Sequence, residues 1–466
     1  MSFNSFEFLI FLPLVFLLYW FVFKKFRWQN TLLLVASYVF YGWWDWRFLS
    51  LIIFSTGLDF FTGLMVAKTE NQLHKKIWLY TSIAINLGFL GFFKYYNFFI
   101  ENWVSAFRSI GYEMHLSTIS IILPLGISFY TFHGLSYIID VYKGRIEPTK
   151  DWISYSVFVS YFPLLVAGPI ERANHLLPQI VKPRRFSYNQ GIDGLKLIIW
   201  GMFKKIVVAD AVGTAVNEIF SNYTHYSGST LILGGIYFAI QVYCDFSGYS
   251  DIARGVSKCF GIELLLNFNN PFSSKTVTEF WRRWHISLST WFFDYVFNPL
   301  VITFRGWGIK TTVVFGLIFT FLLTGIWHGA GWKFMVYGLL NGVAVAYEFL
   351  AQRQRENLMG KLPPLINTYL SRFFTIGYMC FCWVFFRSKD LYSSIDYIKR
   401  CFHLDLNPEF KSNLVVIVVY MLLSAILYYK TDKIWTRYVR IAIYYPMLWF
   451  IFQNMFKPAE FIYFQF

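Results

Sequence analysis

Histidines within apolar stretches are the residues of this sequence best suited to carry chemistry. His328 ends the apolar run 312–327 and lies in the segment GIWHGA at 325–330, where glycines let another backbone or a ligand approach closely. His133 and His285 also lie among apolar and aromatic residues. Because an ionisable group at membrane depth is costly, each is a candidate for function. Histidine transfers protons near neutral pH, which indicates acid–base chemistry such as acyl transfer or a proton relay.

Two further polar positions could belong to the same site. Asp245 lies in the string CDFSGYSD at 244–251, near the predicted end of a helix, and could steer a substrate or bind a cation. Asn341 follows His328 closely enough to meet it across a helix turn-back. A structural role is the alternative for each, because buried polar side chains often share hydrogen bonds between helices.

Other kinds of site have no support in the sequence. It contains no Walker loop, GxSxG elbow, dinucleotide fingerprint or zinc-ligand spacing. The five cysteines are an odd number without a disulfide pattern. We therefore expect no metal site and no bound cofactor.

The composition predicts an all-α polytopic membrane protein. Of the 466 residues, 56% are hydrophobic and only 14% are charged, whereas soluble domains have roughly 25% charged residues. Aromatic residues make up 22% of the chain, as expected for lipid-facing and interfacial positions. The net charge of +15 fits basic cytoplasmic loops, and no accompanying pattern indicates nucleic-acid binding.

Apolar stretches divide the chain into spans. We predict about eleven transmembrane helices plus re-entrant and interfacial helices in one domain, 1–466, with N-terminal spans in 1–150, both candidate histidines in 151–350 and C-terminal spans in 351–466. The stretches are 6–23, 31–44, 48–67, 77–99, 118–142, 153–167, 194–208, 231–249, 312–327, 334–350, 373–386, 414–429 and 441–452. The Gly-Pro pair at 168–169 ends the sixth stretch, so we expect a re-entrant turn there.

Basic loops predict an extracytoplasmic N-terminus. Alternate loops carry the positive charges, which belong on the cytoplasmic side. They are Lys24, Lys25 and Arg27; Lys68, Lys75 and Lys76; and Lys143, Arg145 and Lys150. Lys182, Arg184 and Arg185 would share that side if the stretch 153–167 is re-entrant.

The less apolar segment 251–310 predicts an amphipathic helix. Thr276 and Glu279 form a capping-box pattern that starts it. Apolar and aromatic residues then recur at helical spacing as far as Phe292, and His285 lies on their face. We expect this helix at the cytoplasmic interface of the membrane.

Five motifs follow one another in an order typical of one family. They are LPLGISFYTF at 123–132 with SYIIDVY at 136–142, FP at 162–163 with AGPIER at 167–172, CDFSGYSD at 244–251, FWRRWHISLS at 280–289 and GIWHGA at 325–330. Together they resemble the membrane-bound O-acyltransferases (MBOAT) of the bacterial alginate and peptidoglycan O-acetyltransferase branch. Teichoic-acid D-alanylation proteins are also relatives of that family.

The resemblance implies a fold and two catalytic residues. His328 matches the intramembrane catalytic histidine, and His285 the second characteristic histidine nearer the cytoplasm. The implied fold is a ring of tilted helices around a thin centre with a funnel or tunnel. No role is implied for His133. The residues expected to bind the donor or support the site are Arg282, Arg283, Trp281, Ser287, Trp327, Asn341 and Asp245.

The expected reaction moves an acetyl group from a cytoplasmic donor, acetyl-CoA, towards a cell-envelope polysaccharide. The resemblance also implies an extracytoplasmic SGNH-type (serine-esterase-like) acetyltransferase partner, membrane lipid around the chain, and a bacterial cytoplasmic (inner) membrane location. Three alternatives stay open. One is D-alanyl transfer from a carrier protein that docks near His285, and another is a transporter that uses His328 as a proton relay. The third is a scaffold for a polysaccharide export complex.

Overall fold

A computed structural model describes residues 1–114, 116, 118–403 and 434–455. Every regular element among these residues is a helix, which confirms the predicted all-α class. The predicted stretch 414–429 lies outside the described residues, as does His115.

The helices are numbered along the chain. The first ten are α1 (Phe6–Leu17), α2 (Phe26–Asp45), α3 (Leu49–Lys68), α4 (Gln72–Ser109), α5 (Ile127–Tyr142), α6 (Trp152–Ser160), α7 (Ala173–Ile180), α8 (Tyr188–Met202), α9 (Asp210–Ser221) and α10 (Gly228–Cys259). The others are α11 (Val277–Trp281), α12 (Ile286–Phe292), α13 (Asn298–Thr303), α14 (Ile309–His328), α15 (Trp332–Leu350), α16 (Gln352–Met359), α17 (Pro364–Arg387), α18 (Leu391–Cys401) and α19 (Ile434–Asn454).

Several of these helices are suited to cross a membrane. In the described part of the chain, five helical segments have the length and hydropathy of a span: Phe26–Lys68, Gln72–Ser109, Gly228–Cys259, Ile309–His328 and Pro364–Arg387. The pair Trp332–Leu350 and Gln352–Met359, bent by 74°, makes a sixth if it counts as one span. The chain is therefore a multi-pass membrane protein, and the number of eleven spans stays a prediction.

The segment around α6 and α7 enters the protein and turns back. The nine residues of α6 rise only about 14 Å, less than half of the roughly 30 Å hydrocarbon core. Asn30 contacts both ends of this segment. Its Nδ2 donates to Ser154 Oγ, near the start of α6, at 3.1 Å and to the Ile180 carbonyl, at the end of α7, at 3.0 Å. The start of α6 and the end of α7 thus lie at one level, as a re-entrant segment requires.

Helix α10 is longer than the sequence predicts. The predicted stretch ends at 249, near an expected helix end, but α10 continues to Cys259, so Asp245 and Asp251 lie inside the helix. Gly248 allows α10 to approach α8 closely, because a Cβ at this position would lie 2.8 Å from the Gly201 carbonyl oxygen. The close contact with α8 buries this part of α10.

The predicted amphipathic helix is in fact two short helices, which corrects the sequence interpretation. Thr276 caps α11 as predicted, with its Oγ1 accepting from the Glu279 N–H at 2.9 Å. The chain then breaks at His285, whose φ of 44° is left-handed, and α12 follows. Its aromatic face is buried in the protein instead of lying on the membrane surface, since His285 is 0% and Leu288 0% exposed.

Helices α14 and α15 form a hairpin in which the two backbones touch. A Cβ on Gly325 would lie 2.3 Å from the Phe334 carbonyl oxygen, and one on Gly338 would lie 2.4 Å from the Phe321 carbonyl oxygen. Close packing of small residues is the usual way for membrane helices to associate. This hairpin fixes His328 at the end of α14, directly before the turn at Gly329.

Candidate active site

The backbone end of α14 is held by side chains from α4. Lys94 Nζ donates to the carbonyls of Trp327 at 2.5 Å and His328 at 3.1 Å. The Tyr95 hydroxyl donates to the Ile326 carbonyl at 2.7 Å. The last carbonyls of a helix have no partner within the helix, so these two residues of α4 cap α14.

The His328 imidazole lies in an aromatic surrounding. Its ring centroid lies 4.9 Å from Trp327, 5.1 Å from Phe386 and 5.9 Å from Tyr337. The residue is 6% exposed. Apolar walls of this kind favour a neutral imidazole, the form that accepts a proton as a general base.

His285 is held by Asn267 in its strained backbone conformation. Asn267 Oδ1 accepts from the Ser287 N–H at 3.3 Å and from Ser287 Oγ at 2.9 Å, and it lies 3.1 Å from His285 Nδ1. The Asn267 carbonyl also accepts from the Ile286 N–H at 2.9 Å. A left-handed conformation is uncommon for histidine, and these bonds show what maintains it.

The same contacts fix the tautomer of His285. The Ser287 N–H can only donate, so the atom it contacts on Asn267 is the oxygen of the amide. His285 Nδ1 must then be the protonated nitrogen, and Nε2 carries the lone pair. Nε2 has no hydrogen-bond partner among the described residues. Neutral His285 therefore presents a proton acceptor inside the protein.

Trp327 connects the two histidines. Its ring centroid lies 4.9 Å from His328 and 6.1 Å from His285. On its other sides the indole stacks on Phe132, with ring centroids 5.6 Å apart, and Lys94 Nζ lies 5.7 Å from the indole centroid. The structure thus brings the two predicted histidines to one indole, although 43 positions separate them in the sequence.

Other predicted site residues support this arrangement from a distance. Trp281 Nε1 donates to Asn341 Oδ1 at 3.0 Å, and Asn341 Nδ2 donates to the Tyr337 carbonyl at 2.8 Å. Asn341 thus reaches His328 only through Tyr337, and the expected direct contact is not formed. Ser287 accepts from the Ile170 N–H at 2.9 Å and so joins the re-entrant segment to the His285 turn.

The two arginines before His285 differ in their surroundings. The Arg282 side chain is exposed. Arg283 forms an ion pair with Glu279 at 2.8 Å and donates to Ser273 Oγ at 3.1 Å. Arg282 is therefore the more available of the two for an anionic ligand.

Asp245 is part of a buried ion-pair group. Lys205 Nζ lies 2.7 Å from carboxylate oxygens of both Asp245 and Asp210, and Lys204 Nζ lies 2.7 Å from Asp251. Opposite charges of this kind compensate one another inside an apolar region. Asp245 joins α10 to the segment before α9 and is not in the group around Trp327.

His133 has a structural contact. Its Nε2 accepts from the Glu171 backbone N–H at 3.1 Å, so it fastens α5 to the re-entrant segment. Among the described residues, no three His, Cys, Asp or Glu side chains form a group that could hold a metal ion.

Sequence reasoning missed Lys94 and Asn267. A signal for Lys94 was present, since it is a lysine inside the apolar stretch 77–99, and charged residues at membrane depth are functional candidates. Asn267 gave no such signal, because asparagine before Asn269, Asn270 and Pro271 is typical of an ordinary loop.

Comparison with known proteins shows the family to which the chain is similar. The family model described as "MBOAT, membrane-bound O-acyltransferase family" matches residues 148–388, which include both histidines. The chain is 38% identical over 394 residues to the "Probable alginate O-acetylase AlgI" of Azotobacter vinelandii, covering 84% of this chain and 76% of that protein.

Two other relatives extend the comparison. The "Peptidoglycan O-acetyltransferase" of Helicobacter pylori is 32% identical, over 79% of this chain and 72% of that protein. The "Teichoic acid D-alanyltransferase" of Bacillus subtilis is 31% identical, over 57% of this chain and 69% of that protein.

Proposed function

The chain belongs to the membrane-bound O-acyltransferase family, and we propose that it moves an acetyl group from cytoplasmic acetyl-CoA towards a cell-envelope polysaccharide. Family membership makes it an acyltransferase within the membrane. The observation that carries the finer proposal is the shared contact of His328 and His285 with Trp327. Two side chains that are able to transfer protons thus lie at one buried point.

The proposed reaction is an exchange of a thioester for an oxygen ester. The imidazole of His328 accepts the proton of an acceptor hydroxyl while that oxygen attacks the acetyl carbonyl. The carbon–sulfur bond breaks, and the departing thiolate takes the proton from the imidazolium. An alternative order, in which His328 first carries the acetyl group itself, uses the same atoms in two steps.

His285 assists this exchange from the other side of Trp327. Its Nε2 lone pair can hold a donor group in position or take part in moving the proton. The rigid turn around Asn267 keeps the imidazole in one orientation, and such preorganisation is valuable in catalysis.

The donor is proposed to approach from the end of α15 that carries Glu348. Glu348 accepts from the backbone N–H groups of Val277 and Thr278, both at 2.8 Å, and so holds the start of α11. The exposed Arg282 follows at the end of α11. A guanidinium there can bind phosphates of coenzyme A.

The opposite end of α15 is proposed to face the extracytoplasmic side. Lys68, Lys75 and Lys76 place the start of α4 in the cytoplasm. Near the far end of α4, Asn102 Oδ1 accepts from Trp332 Nε1 at 2.8 Å. This orientation leaves the N-terminus extracytoplasmic in a bacterial cytoplasmic (inner) membrane, and it puts donor and acceptor on opposite faces.

Acetyl transfer is favoured over D-alanyl transfer by the extent of similarity. The alginate O-acetylase relative is similar over 84% of this chain and the D-alanyltransferase relative over 57%. An extracytoplasmic SGNH-type partner is proposed to complete transfer to the polysaccharide. A transporter that relays protons through His328 is not favoured, because the family is one of acyltransferases.

Sealed vesicles test the direction of transfer. Purified protein is reconstituted, and acetyl-labelled acetyl-CoA is supplied only on the face that exposes Arg282, with an oligosaccharide acceptor and the partner on the other. Label is expected on the opposite face with wild type and not with His328→Ala. Label that stays on the donor face would contradict transfer across the membrane, and carrier-bound D-alanine as the only accepted donor would favour the alternative.

A further inference from the structure

The indole N–H of Trp327 is a buried donor without an acceptor. Trp327 is 5% exposed, and its Nε1 has no hydrogen-bond partner among the described residues. Two other buried indoles differ in this respect. Trp281 Nε1 donates to Asn341 Oδ1 at 3.0 Å, and Trp291 Nε1 donates to the Phe132 carbonyl at 3.2 Å. Because an indole N–H can only donate and is costly to bury unpaired, this atom indicates an acceptor that arrives with the substrate.

The Trp327 ring is fixed from several sides. It stacks on the Phe132 ring at an interplanar angle of 15°, and the Phe129 ring lies across it at 73° with the centroids 5.9 Å apart. The Trp327 carbonyl accepts from Lys94 Nζ at 2.5 Å, which holds the backbone of the same residue. A donor that is already held in one orientation needs no reorganisation when negative charge develops on its acceptor.

The two histidines beside Trp327 supply proton acceptors, and the indole supplies a donor. His328 is proposed to take the proton of the acceptor hydroxyl, and His285 Nδ1 carries its proton towards Asn267, so that Nε2 also accepts. Acyl transfer further needs a donor for the carbonyl oxygen of the acyl group, which becomes negatively charged when a hydroxyl attacks. The indole centroid lies 4.9 Å from that of His328 and 6.1 Å from that of His285, within the same buried group.

We propose that Trp327 is a catalytic residue whose indole N–H donates a hydrogen bond to the acyl carbonyl oxygen as that oxygen becomes negatively charged. The proposal rests on the proposed function, since it concerns the thioester carbonyl of the same donor. The bond is weak to the neutral carbonyl and strengthens in the transition state, which is the condition under which binding accelerates a reaction.

The proposed steps balance around this bond. The hydroxyl oxygen forms a bond to the carbonyl carbon, the π pair of the C=O bond moves to the carbonyl oxygen, and His328 takes the hydroxyl proton. The C=O bond then forms again, the carbon–sulfur bond breaks, and the thiolate takes the proton from the imidazolium. The indole keeps its own proton throughout, so Trp327 stabilises charge and transfers nothing.

Steady-state transfer by purified full-length Trp327→Phe tests the proposal, since this change keeps an aromatic ring and removes the N–H. Loss of one such donor costs about 100- to 1000-fold in kcat, so we expect kcat to fall about 100-fold with little change in KM for the donor. The matched control is Trp291→Phe, because Trp291 is also 5% exposed but uses its N–H within the protein. Trp291→Phe is expected to keep a kcat close to that of wild type and to lower the thermal midpoint more than Trp327→Phe does.

A spectroscopic measurement detects the hydrogen bond without turnover. Acetyl-CoA with an isotope-labelled carbonyl is bound to His328→Ala, and its C=O stretching band is recorded by infrared difference spectroscopy. The hydrogen bond is expected to move this band to lower wavenumber. The shift is expected to vanish when Trp327→Phe is added and to persist when Trp291→Phe is added. If Trp327→Phe does not fold, benzothienylalanine, a tryptophan isostere with sulfur in place of the N–H, is introduced at this position instead.

Several outcomes would overturn the proposal. One is a wild-type kcat in folded Trp327→Phe, and another is a raised KM with unchanged kcat, since the N–H would then bind the donor equally in the ground state and the transition state. An equal fall of kcat in Trp291→Phe would indicate a general effect of packing. A carbonyl band that does not depend on Trp327 would exclude the contact.

Failure of the proposed acetyl donor would be seen separately, as lack of acetyl-CoA consumption by wild type. The same variants are then compared with carrier-bound D-alanine, whose carbonyl oxygen also becomes negatively charged when a hydroxyl attacks. An unchanged kcat of Trp327→Phe with that donor would again overturn the role of Trp327, and a fall confined to Trp327→Phe would support it.

Discussion

Lys94 holds the backbone of His328: its Nζ lies 3.1 Å from the His328 carbonyl oxygen and 2.5 Å from that of Trp327. The two residues are 234 positions apart in the sequence. A lysine side chain of one span thus holds the backbone of the candidate catalytic residue in another. We regard Lys94 as a positioning residue, because its contacts are to the backbone and not to the imidazole.

Removal of the Lys94 amine is expected to reduce turnover. Lys94→Met keeps the length of the side chain but removes both hydrogen bonds to the end of α14. Since a small displacement of a catalytic group can cost about 100-fold in rate, kcat is expected to fall about 10- to 100-fold with little change in KM for the donor. Lys94→Arg is expected to restore part of the rate.

The matched control is Lys76→Met, an exposed lysine of the same helix. It is expected to leave kcat unchanged. A Lys94→Met protein that keeps the wild-type kcat would show that the contact is not needed to position His328.

The role of the His285 imidazole in acetyl transfer can be tested with a substitution that does not strain the backbone. Asparagine tolerates the left-handed conformation better than most residues, so His285→Asn is expected to keep the wild-type thermal midpoint while losing most of the acetyl transfer. His285→Ala is expected to lose stability as well, since alanine is strained at the φ of 44°. Full activity in a folded His285→Asn protein would exclude a role for the imidazole.

We expect that the contact between α14 and α15 leaves no room for a methyl group at Gly325. In Gly325→Ala the new Cβ would meet the Phe334 carbonyl oxygen at 2.3 Å, which forces the two helices apart at a cost of about 3 kcal/mol. Gly377→Ala is the control, since its Cβ would have nothing within 4 Å. Thermal unfolding in detergent compares the stability of the two variants. Equal unfolding midpoints for Gly325→Ala and Gly377→Ala would contradict the observed close packing.

Asp245 is expected to contribute to stability and not to donor binding. Lys205→Met leaves Asp245 and Asp210 buried without their shared cation, so the protein is expected to lose about 3–5 kcal/mol. Lys196→Met removes an exposed ion pair with Asp193 and is expected to cost about 1 kcal/mol or less. If Asp245→Asn instead raises KM for the donor without lowering the thermal midpoint, Asp245 belongs to the binding site.

Much of the architecture could be predicted from the sequence. Hydropathy identifies α14 almost to the residue, since the stretch 312–327 lies within Ile309–His328. The Gly-Pro pair at 168–169 indicated an interruption between α6 and α7, although α6 already ends at Ser160, before the pair. The sequence indicates the two histidines as candidates because each lies among apolar or aromatic residues, and the structure brings both to Trp327.

Other features depend on partners far along the chain. The helical spacing of apolar residues continues through His285, and the break there is stabilised by Asn267, 18 residues earlier. The polar residues of α10 looked like a helix end because their cations, Lys204 and Lys205, lie on another segment. Periodicity describes one element at a time, and these features arise from contacts between elements.

Consumption of labelled acetyl-CoA by purified protein tests the central claim most directly. Wild type is compared with His328→Ala and with His74→Ala, an exposed histidine at the start of α4. We predict that wild type and His74→Ala pass label to an acceptor or to water, and that folded His328→Ala does not. Transfer by folded His328→Ala at the wild-type rate would contradict the account, because acetyl transfer would then not depend on the His328 imidazole.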